Sequence, residues 1–328
     1  MFIRKTVCWI GALALAGAAM AQDSFSVKGG AGPGKGKKIV LLSGDEEYRS
    51  EEAMPQLAKI LAKHGFDCTV CFSVDPKTGE INPNQGDSLT NPDALDSADA
   101  IVMLLRYRHW PDATMKKFDD AMKRGVPVVA LRTSTHAFNG LKGDFARYNN
   151  FGKEVLGEHW VSHWGSHKKE ATRGIIEKGA EGLAIMHGVA DVFGGTDVYE
   201  AYPPADATIL IRGQVLKSME PTAEPADYKK KRSTDKAEQG VNDPMMPVAW
   251  TRVNKNENGK ENKILCTTMA AASDLTNEGL RRLIVNGVFW GLGLDVPEKA
   301  DVAPVGEFTP SFYGFNGNKK GVKPSDFK

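Results

Sequence analysis

The stretch IVLLSGDEEYRSEEAMPQLAKILAKHG (39–65) decides the fold class. Residues 39–42 are an unbroken apolar run, which is typical of a parallel strand covered on both faces. Leu57, Ile60 and Leu61 then recur at helical spacing, so a helix is predicted over residues 50–64, ended by Gly65. A buried strand followed by an amphipathic helix is the building unit of a doubly wound α/β fold.

The same alternation continues along the chain. Apolar runs predict further strands, and amphipathic patterns predict two more helices, at residues 112–123 and 277–292. The further strands are predicted over residues 66–74, 100–105, 126–131, 208–212, 248–253 and 264–269. The sequence therefore predicts an α/β fold with a doubly wound, mainly parallel sheet and helices on both faces.

The beginning of the chain has the features of an export signal. Arg4 and Lys5 precede an apolar run, and Ala19-Met20-Ala21 fits the small-x-small rule of signal peptidase. The run is shorter than the roughly 20 residues that a membrane span needs. We expect a signal peptide over residues 1–21, export to the periplasm or the outside of the cell, and no membrane span.

Composition divides the rest of the chain. A glycine-rich linker is predicted over residues 22–37, one domain over 38–298 with a polar insert at about 221–243, and a packed tail over 299–328. The basic run at 229–232 is interpreted as a solvated part of the insert. The 42 basic and 41 acidic residues nearly cancel, which argues against a nucleic-acid partner, while a homo-oligomer is left open.

Two cysteines, Cys68 and Cys71, have the spacing of a redox CxxC motif. They lie in a predicted strand, where residues three apart point to opposite faces and are too distant for a disulfide. Together with Cys266, they are predicted to be core cysteines, and their redox state is left open.

Polar residues follow three of the predicted strands. Residues 43–49, 106–110 and 132–136 all lie at carboxyl ends of strands, where ligands bind in open parallel sheets. We therefore predict a polar pocket at this edge. The alternative is that the arginines of these loops only pair with the neighbouring carboxylates.

His136 is the candidate proton carrier, because an imidazole titrates near neutral pH. Asp45 and Glu47 are the candidates for a second acid-base group. His136 is equally well interpreted as a structural histidine at the end of its strand. The residues predicted to bind the substrate are Arg49, Arg106, Arg132, Thr133, His163, His167 and Asp197.

A second group of interest is His159, His163 and His167. On a helix, this spacing would place the three imidazoles on one face, where they could hold a divalent metal. Trp160 stands where a zinc-protease motif has glutamate, and Gly165 disfavours a continuous helix. No cofactor is predicted, and the alternative is that these histidines form hydrogen bonds to a ligand or to the backbone.

Five segments together resemble secreted ThuA-like (trehalose-utilisation) proteins, over residues 38–296. They are LLSGDEEYR (41–49), RTSTHAF (132–138), GTDVYE (195–200), NDPMMPVAW (242–250) and NEGLRRL (277–283). The resemblance implies a flavodoxin-like core related to class I glutamine amidotransferases. Those enzymes carry a cysteine on the turn after the strand equivalent to 126–131. Here Arg132, Thr133 and Ser134 occupy that turn, which excludes glutaminase chemistry by a thiolate.

The resemblance also implies a ligand class. The family is named from disaccharide-utilisation operons, in which a partner dehydrogenase is thought to make 3-keto sugars. Three interpretations follow by analogy. The chain is a lyase, isomerase or hydrolase that acts on a carbohydrate or keto sugar by acid-base chemistry, a noncatalytic carbohydrate-binding protein, or a metal-dependent enzyme that uses the three histidines.

Overall fold

The computed structural model describes residues 24–327. The signal peptide predicted over residues 1–21 lies outside this range. Within it, no helix has the length and apolar character needed to cross a membrane.

The helices are α1 (Ser50–Lys63), α2 (Asp112–Lys123) and α3 (Glu278–Leu292). The strands are β1 (Phe25–Val27), β2 (Lys38–Gly44), β3 (Asp67–Phe72), β4 (Ala100–Leu105), β5 (Val128–Leu131), β6 (Ser162–His163), β7 (Thr172–Ile176), β8 (Phe193–Gly194), β9 (Tyr199–Glu200), β10 (Thr208–Val215), β11 (Lys229–Lys231), β12 (Glu238–Gly240), β13 (Met246–Lys255) and β14 (Glu261–Thr267).

One sheet of ten strands has the order β1-β3-β2-β4-β5-β14-β13-β10-β7-β8. The consecutive strands β3, β2, β4, β5 and β14 are parallel to one another, which confirms the α/β, flavodoxin-like class. Strand β2 lies between β3 and β4 in the sheet. The chain therefore continues from β2 to its neighbour β3 on one side, and then crosses to β4 on the other side of β2. This reversal opens a crevice at the carboxyl ends of β2 and β4.

The sheet also has antiparallel strands. β13, β10, β7 and β8 extend the edge beyond β14, and β1 pairs antiparallel with β3 at the opposite edge. β10 and β13 are long antiparallel neighbours. Antiparallel strands can be connected by loops, so this pair needs no crossover helix. The parallel half is therefore the part of the sheet that carries the crevice.

Helices cover both faces of the parallel half. Side chains of a strand alternate between faces, and β2 shows this clearly. Ile39 and Leu41 belong to the buried cluster that contains α1 and α3, whereas Val40 and Leu42 belong to the cluster with α2. The prediction of helices on both faces is confirmed.

The closing helix α3 has a defined start and end. The Asn277 side chain accepts a hydrogen bond from the Leu280 backbone N–H at 2.9 Å, which is an N-cap. Gly293 follows the last turn with φ of 69°, a left-handed conformation that favours glycine. The helix predicted over residues 277–292 is thereby confirmed, with its first residue acting as the cap.

The glycine-rich segment predicted as a linker is packed against the domain from Phe25 onwards. Phe25–Val27 form β1, and the Phe25 ring is buried. Gly29 allows the backbone to pass close to the α1 end, since a Cβ there would lie 2.2 Å from the Gly65 carbonyl carbon. Within the described residues, this part of the predicted linker is corrected to an edge strand followed by a close backbone contact.

The prediction of core cysteines is confirmed. Cys68, Cys71 and Cys266 are buried, and none of them forms a disulfide with another cysteine of residues 24–327. Cys68 and Cys71 lie in the buried clusters on opposite faces of the sheet, as strand geometry requires. Burial raises the pKa of the Cys71 thiol to about 12, so this thiol is protonated and unreactive at neutral pH.

The polar insert contains the hairpin formed by β11 and β12. The interpretation of its basic run as solvated is wrong for Lys230. The Lys230 ammonium donates hydrogen bonds to the backbone oxygens of His163 at 2.7 Å and Trp164 at 2.9 Å. The insert therefore stabilises, through these hydrogen bonds, the segment that carries His163.

Candidate functional site

The loops after β2, β4 and β5 meet at the carboxyl edge of the sheet. The Thr133 hydroxyl donates a hydrogen bond to the Asp45 carboxylate, which joins the first and third loops. Arg106 and Arg108 both pair with Glu46, which joins the first and second. The polar residues expected at neighbouring strand ends are thus in direct contact.

Asp45 organises the first loop. Its side chain is fully buried, and it accepts hydrogen bonds from the backbone N–H groups of Glu47 and Tyr48 as well as from Thr133. Burial raises the pKa of Asp45, although these donors oppose the shift. A carboxylate enclosed by the protein's own donors holds the first loop in place, and a catalytic role of Asp45 stays a prediction. Thr133 is buried as well, and its role in substrate binding stays a prediction.

Arg132 is the central buried cation of this region. Its backbone φ is 41°, at the sharp turn directly after β5. Its guanidinium donates hydrogen bonds to the backbone oxygens of Thr268 at 2.6 Å and Asp197 at 2.7 Å, and to the Asp197 carboxylate at 2.9 Å. The rings of Tyr199 and Tyr48 lie 3.7 and 4.7 Å from the guanidinium carbon.

Arg132 is fully buried and its guanidinium is engaged by the protein, while its role in substrate binding stays a prediction. Its partner is Asp197, not Asp45 or Glu47, the two carboxylates considered from sequence. Arg49 is buried and donates to the Gly314 backbone oxygen at 2.6 Å, and its binding role also stays a prediction. Arg106 remains partly exposed, between the rings of Tyr107 at 4.8 Å and Phe315 at 5.0 Å.

The Asp197 carboxylate contacts two imidazoles in addition to the Arg132 guanidinium. His163 Nδ1 lies 2.7 Å from one carboxylate oxygen, and His167 Nδ1 lies 3.1 Å from the other. Burial would raise the pKa of Asp197, but the Arg132 charge and the two imidazoles outweigh burial and lower it. Asp197 is consequently a carboxylate at any physiological pH.

The histidines are not on a helix. His163 lies in the short strand β6, which pairs with β9, and this places it beside Asp197 together with His167. His159 is separate from the pair, because its side chain is mostly exposed and lies 3.1 Å from Glu158. The three-histidine group considered from sequence is therefore corrected to two histidines and Asp197.

His167 bridges two carboxylates. Its Nδ1 faces Asp197, and its Nε2 lies 3.0 Å from the Glu47 carboxylate. The hydrogen bonds to Asp197 and Glu47 raise the pKa of His167 to about 9, so the imidazole is protonated at neutral pH in this arrangement. Glu47 is buried and contacts His167 directly, which places this predicted residue inside the site.

His136 has a different environment. Its ring lies 4.9 Å from the Tyr107 ring and 5.5 Å from the Trp160 ring, and its Nδ1 lies 3.1 Å from the Thr135 hydroxyl. Burial lowers the pKa of His136 well below its ordinary value, and the positive charges of Arg106 and Arg132 add to the shift. The imidazole is therefore neutral at neutral pH.

A row of partly exposed rings connects these groups. The rings of Trp160 and His163 are 5.6 Å apart, and those of His163 and His167 are 4.6 Å apart. We name this set the ring row, and it consists of His136, Trp160, His163 and His167. The ring row joins a neutral imidazole at one end to a pair of carboxylates at the other.

The C-terminal tail closes one side of the site. The Tyr313 ring is buried and stacks on Tyr48 at 5.1 Å, and the Gly314 N–H donates to the Glu47 backbone oxygen at 2.7 Å. The sequence reasoning did not identify Tyr199 or Tyr313 as parts of the site. Tyr199 stands two residues after the predicted Asp197, but only the three-dimensional contacts show that it and Tyr313 pack around Arg132 and Tyr48.

No protein-family model and no curated protein matches this sequence. Solved structures do show similarity. One is a ThuA-like protein from Parabacteroides merdae, with 12% identity, 80% of this chain and 92% of that chain covered, and a TM-score of 0.49. Another is a ThuA-like protein from Bacteroides uniformis, with 14% identity, 80% and 94% covered, and a TM-score of 0.45.

Proposed function

We propose that this chain is an exported ThuA-like protein that acts on a carbohydrate, or on an oxidised keto form of one, by acid-base chemistry without a cysteine nucleophile. The observation that carries the proposal is the environment of His136. Its imidazole is partly exposed at the carboxyl edge of the sheet, beside Trp160, and it is uncharged at neutral pH. An uncharged imidazole at a ligand-binding edge is a proton acceptor.

The lowered pKa of His136 also limits which protons of a substrate the imidazole can remove. A weakly basic imidazole removes a proton only from an acidified position, and the carbon next to a ketone is such a position. The C–H proton would pass to His136, and the electron pair of that bond would form the enolate. The Thr135 hydroxyl donates to the Arg132 backbone oxygen, so its oxygen can accept from the His136 Nδ1–H, and Nε2 then carries the lone pair for this step. A keto sugar therefore suits the site better than the unoxidised sugar.

Binding of a sugar ring is supported by Trp160 and not by Trp164. The Trp160 ring is partly exposed, and an exposed aromatic face can cover the apolar side of a sugar. Trp164 is fully buried, and its indole N–H donates to the Val241 backbone oxygen at 2.8 Å, so it belongs to the core.

The first test is turnover of 3-keto disaccharides by the wild-type protein and by the His136→Ala variant. We expect this change to lower the rate by about 10²- to 10⁴-fold, the range for loss of one general base. Affinity for the keto sugar should stay within about tenfold, or about 1.4 kcal/mol.

The matched control is His159→Ala, which removes an exposed histidine of the same region whose contact is Glu158. Its turnover should equal that of the wild type. Normal turnover in the His136→Ala variant would remove this residue from the mechanism. Binding without any turnover by the wild type would favour the noncatalytic interpretation.

A further inference from the structure

We propose that His163, His167 and Asp197 form a binding site for one divalent transition metal of the zinc class. The inference deepens the proposed function by naming the electrophile of the same site. Metal binding itself can be measured without any substrate. The ligand set differs from the three histidines suggested by sequence spacing, because Asp197 replaces His159.

The first argument is the geometry of the three side chains. One nitrogen of each imidazole and one carboxylate oxygen lie within 4.8 Å of one another. Metal–ligand bonds of about 2.0–2.1 Å place the ligand atoms of a tetrahedral site roughly 3.3–3.5 Å apart. In the present arrangement the two Nδ1 atoms make hydrogen-bond contacts of 2.7 and 3.1 Å with different oxygens of the Asp197 carboxylate. A rotation of the side chains that brings one carboxylate oxygen and both imidazoles to the spacing of metal ligands would admit the ion.

The second argument is the chemistry of the donors. Two imidazoles and one carboxylate suit zinc and its neighbours better than magnesium or calcium, which prefer oxygen ligands. The His163 and His167 side chains are 37% and 27% exposed. Three protein ligands at an open edge leave a position for water or substrate, which is typical of a catalytic metal site and not of a closed structural one.

The third argument is the set of groups that would orient the ligands. If His167 binds the metal through Nδ1, its Nε2–H points to the Glu47 carboxylate at 3.0 Å. A carboxylate behind a metal-bound histidine fixes the orientation of the ring and increases its basicity. Arg132 holds Asp197, and Lys230 holds the His163 and Trp164 backbone oxygens. The three proposed ligands are therefore positioned before any ion binds.

The proposed metal site and His136 lie on opposite sides of Trp160. Trp160 lies between them, with its ring 5.5 Å from His136 and 5.6 Å from His163. A sugar ring on Trp160 could present its ketone oxygen to the metal and the neighbouring C–H bond to His136. The metal would stabilise the negative charge of the enolate that forms when the proton moves to the imidazole.

The test is calorimetric titration of the chelator-treated protein with Zn²⁺ alone. We expect one ion per chain, and a loss of at least tenfold in affinity for each of His163→Ala and His167→Ala. Glu47→Gln should weaken binding by about 10- to 100-fold, as expected for a group that orients a ligand without touching the metal. His159→Ala should bind like the wild type.

Circular dichroism of each variant establishes that it is folded. Asp197→Asn removes the partner of Arg132, so the two histidine variants keep the test valid if that protein unfolds. Absence of Zn²⁺ binding by the wild type would overturn the metal site, and so would unchanged affinity in both histidine variants. The His136→Ala turnover result would still decide the proposed function, because it does not depend on the titration.

Discussion

Replacing Arg132 by methionine is expected to lower the free energy of unfolding by about 3–5 kcal/mol. Both Arg132 and Asp197 are 0% exposed at their side chains, and their contact is 2.9 Å. Methionine removes the fully buried charge of the pair and leaves the Asp197 carboxylate with only the imidazoles of His163 and His167 as partners. The loss should be measured by denaturant unfolding at neutral pH.

Two further variants distinguish the loss of a buried ion pair from the loss of an exposed one. Lys116→Met removes one partner of the exposed pair with Asp120 and should change stability by less than about 1 kcal/mol. The double variant Arg132→Met/Asp197→Asn should recover part of the loss, because the two residues interact directly. A cost below about 1 kcal/mol for Arg132→Met would contradict the role of this pair as the centre of the site.

Replacing Glu51 by glutamine is expected to stabilise the protein increasingly as the pH rises from about 5 to 8. Glu51 lies in the first turn of α1, it is buried, and neither carboxylate oxygen has a hydrogen-bond partner among the described residues. Burial raises its pKa from 4.5 to about 8. The folded state therefore binds a proton in this window that the unfolded chain has already released.

The sign of the effect follows from this difference. A folded state that holds more protons than the unfolded state loses stability as the pH rises, here between about pH 4.5 and pH 8. Each pKa unit corresponds to about 1.4 kcal/mol, so the loss amounts to several kcal/mol by pH 8. Glutamine does not titrate and removes this dependence. The measurement is the unfolding free energy of both proteins at pH 5, 6.5 and 8.

A control with the opposite sign is Glu278→Gln in the first turn of α3. The hydrogen bond from Arg282 lowers the pKa of Glu278, and this carboxylate is mostly exposed. Its replacement should therefore cost a little stability near neutral pH, below about 1 kcal/mol. A stability difference between wild type and Glu51→Gln that does not change with pH would mean that Glu51 is ionised in the folded protein.

The fold was predictable where short-range patterns decide it. The amphipathic pattern predicted a helix over residues 112–123, which are the bounds of α2, and the helix predicted from residue 277 begins at the N-cap Asn277 of α3. Local patterns do not specify which strands pair, so the antiparallel arrangement of β13, β10 and β7 could not be predicted. The strand β1 was missed because its three residues are too few to show a period.

The position of the site was predictable, but the roles of its residues were not. Strand ends collect at one edge by topology, so the loops containing Glu47 and His136 were identified from sequence. Burial and pairing depend on long-range contacts. Arg132 meets Asp197 across 65 residues of chain, and His167 meets Glu47 although no spacing links them. These contacts give Arg132, Thr133 and Asp45 buried partners within the protein that the sequence did not predict.

The most direct test of a carbohydrate-derived ligand at the ring row is a thermal-shift measurement with 3-keto disaccharides and their parent sugars. A ligand at 100 times its dissociation constant adds about 2.7 kcal/mol of stability, or roughly 4 °C in the unfolding midpoint of a domain this size. We expect such a shift with the keto sugars, and its loss in the Trp160→Ala variant. No shift with any sugar, or a shift that Trp160→Ala leaves unchanged, would contradict a carbohydrate-derived ligand at this site.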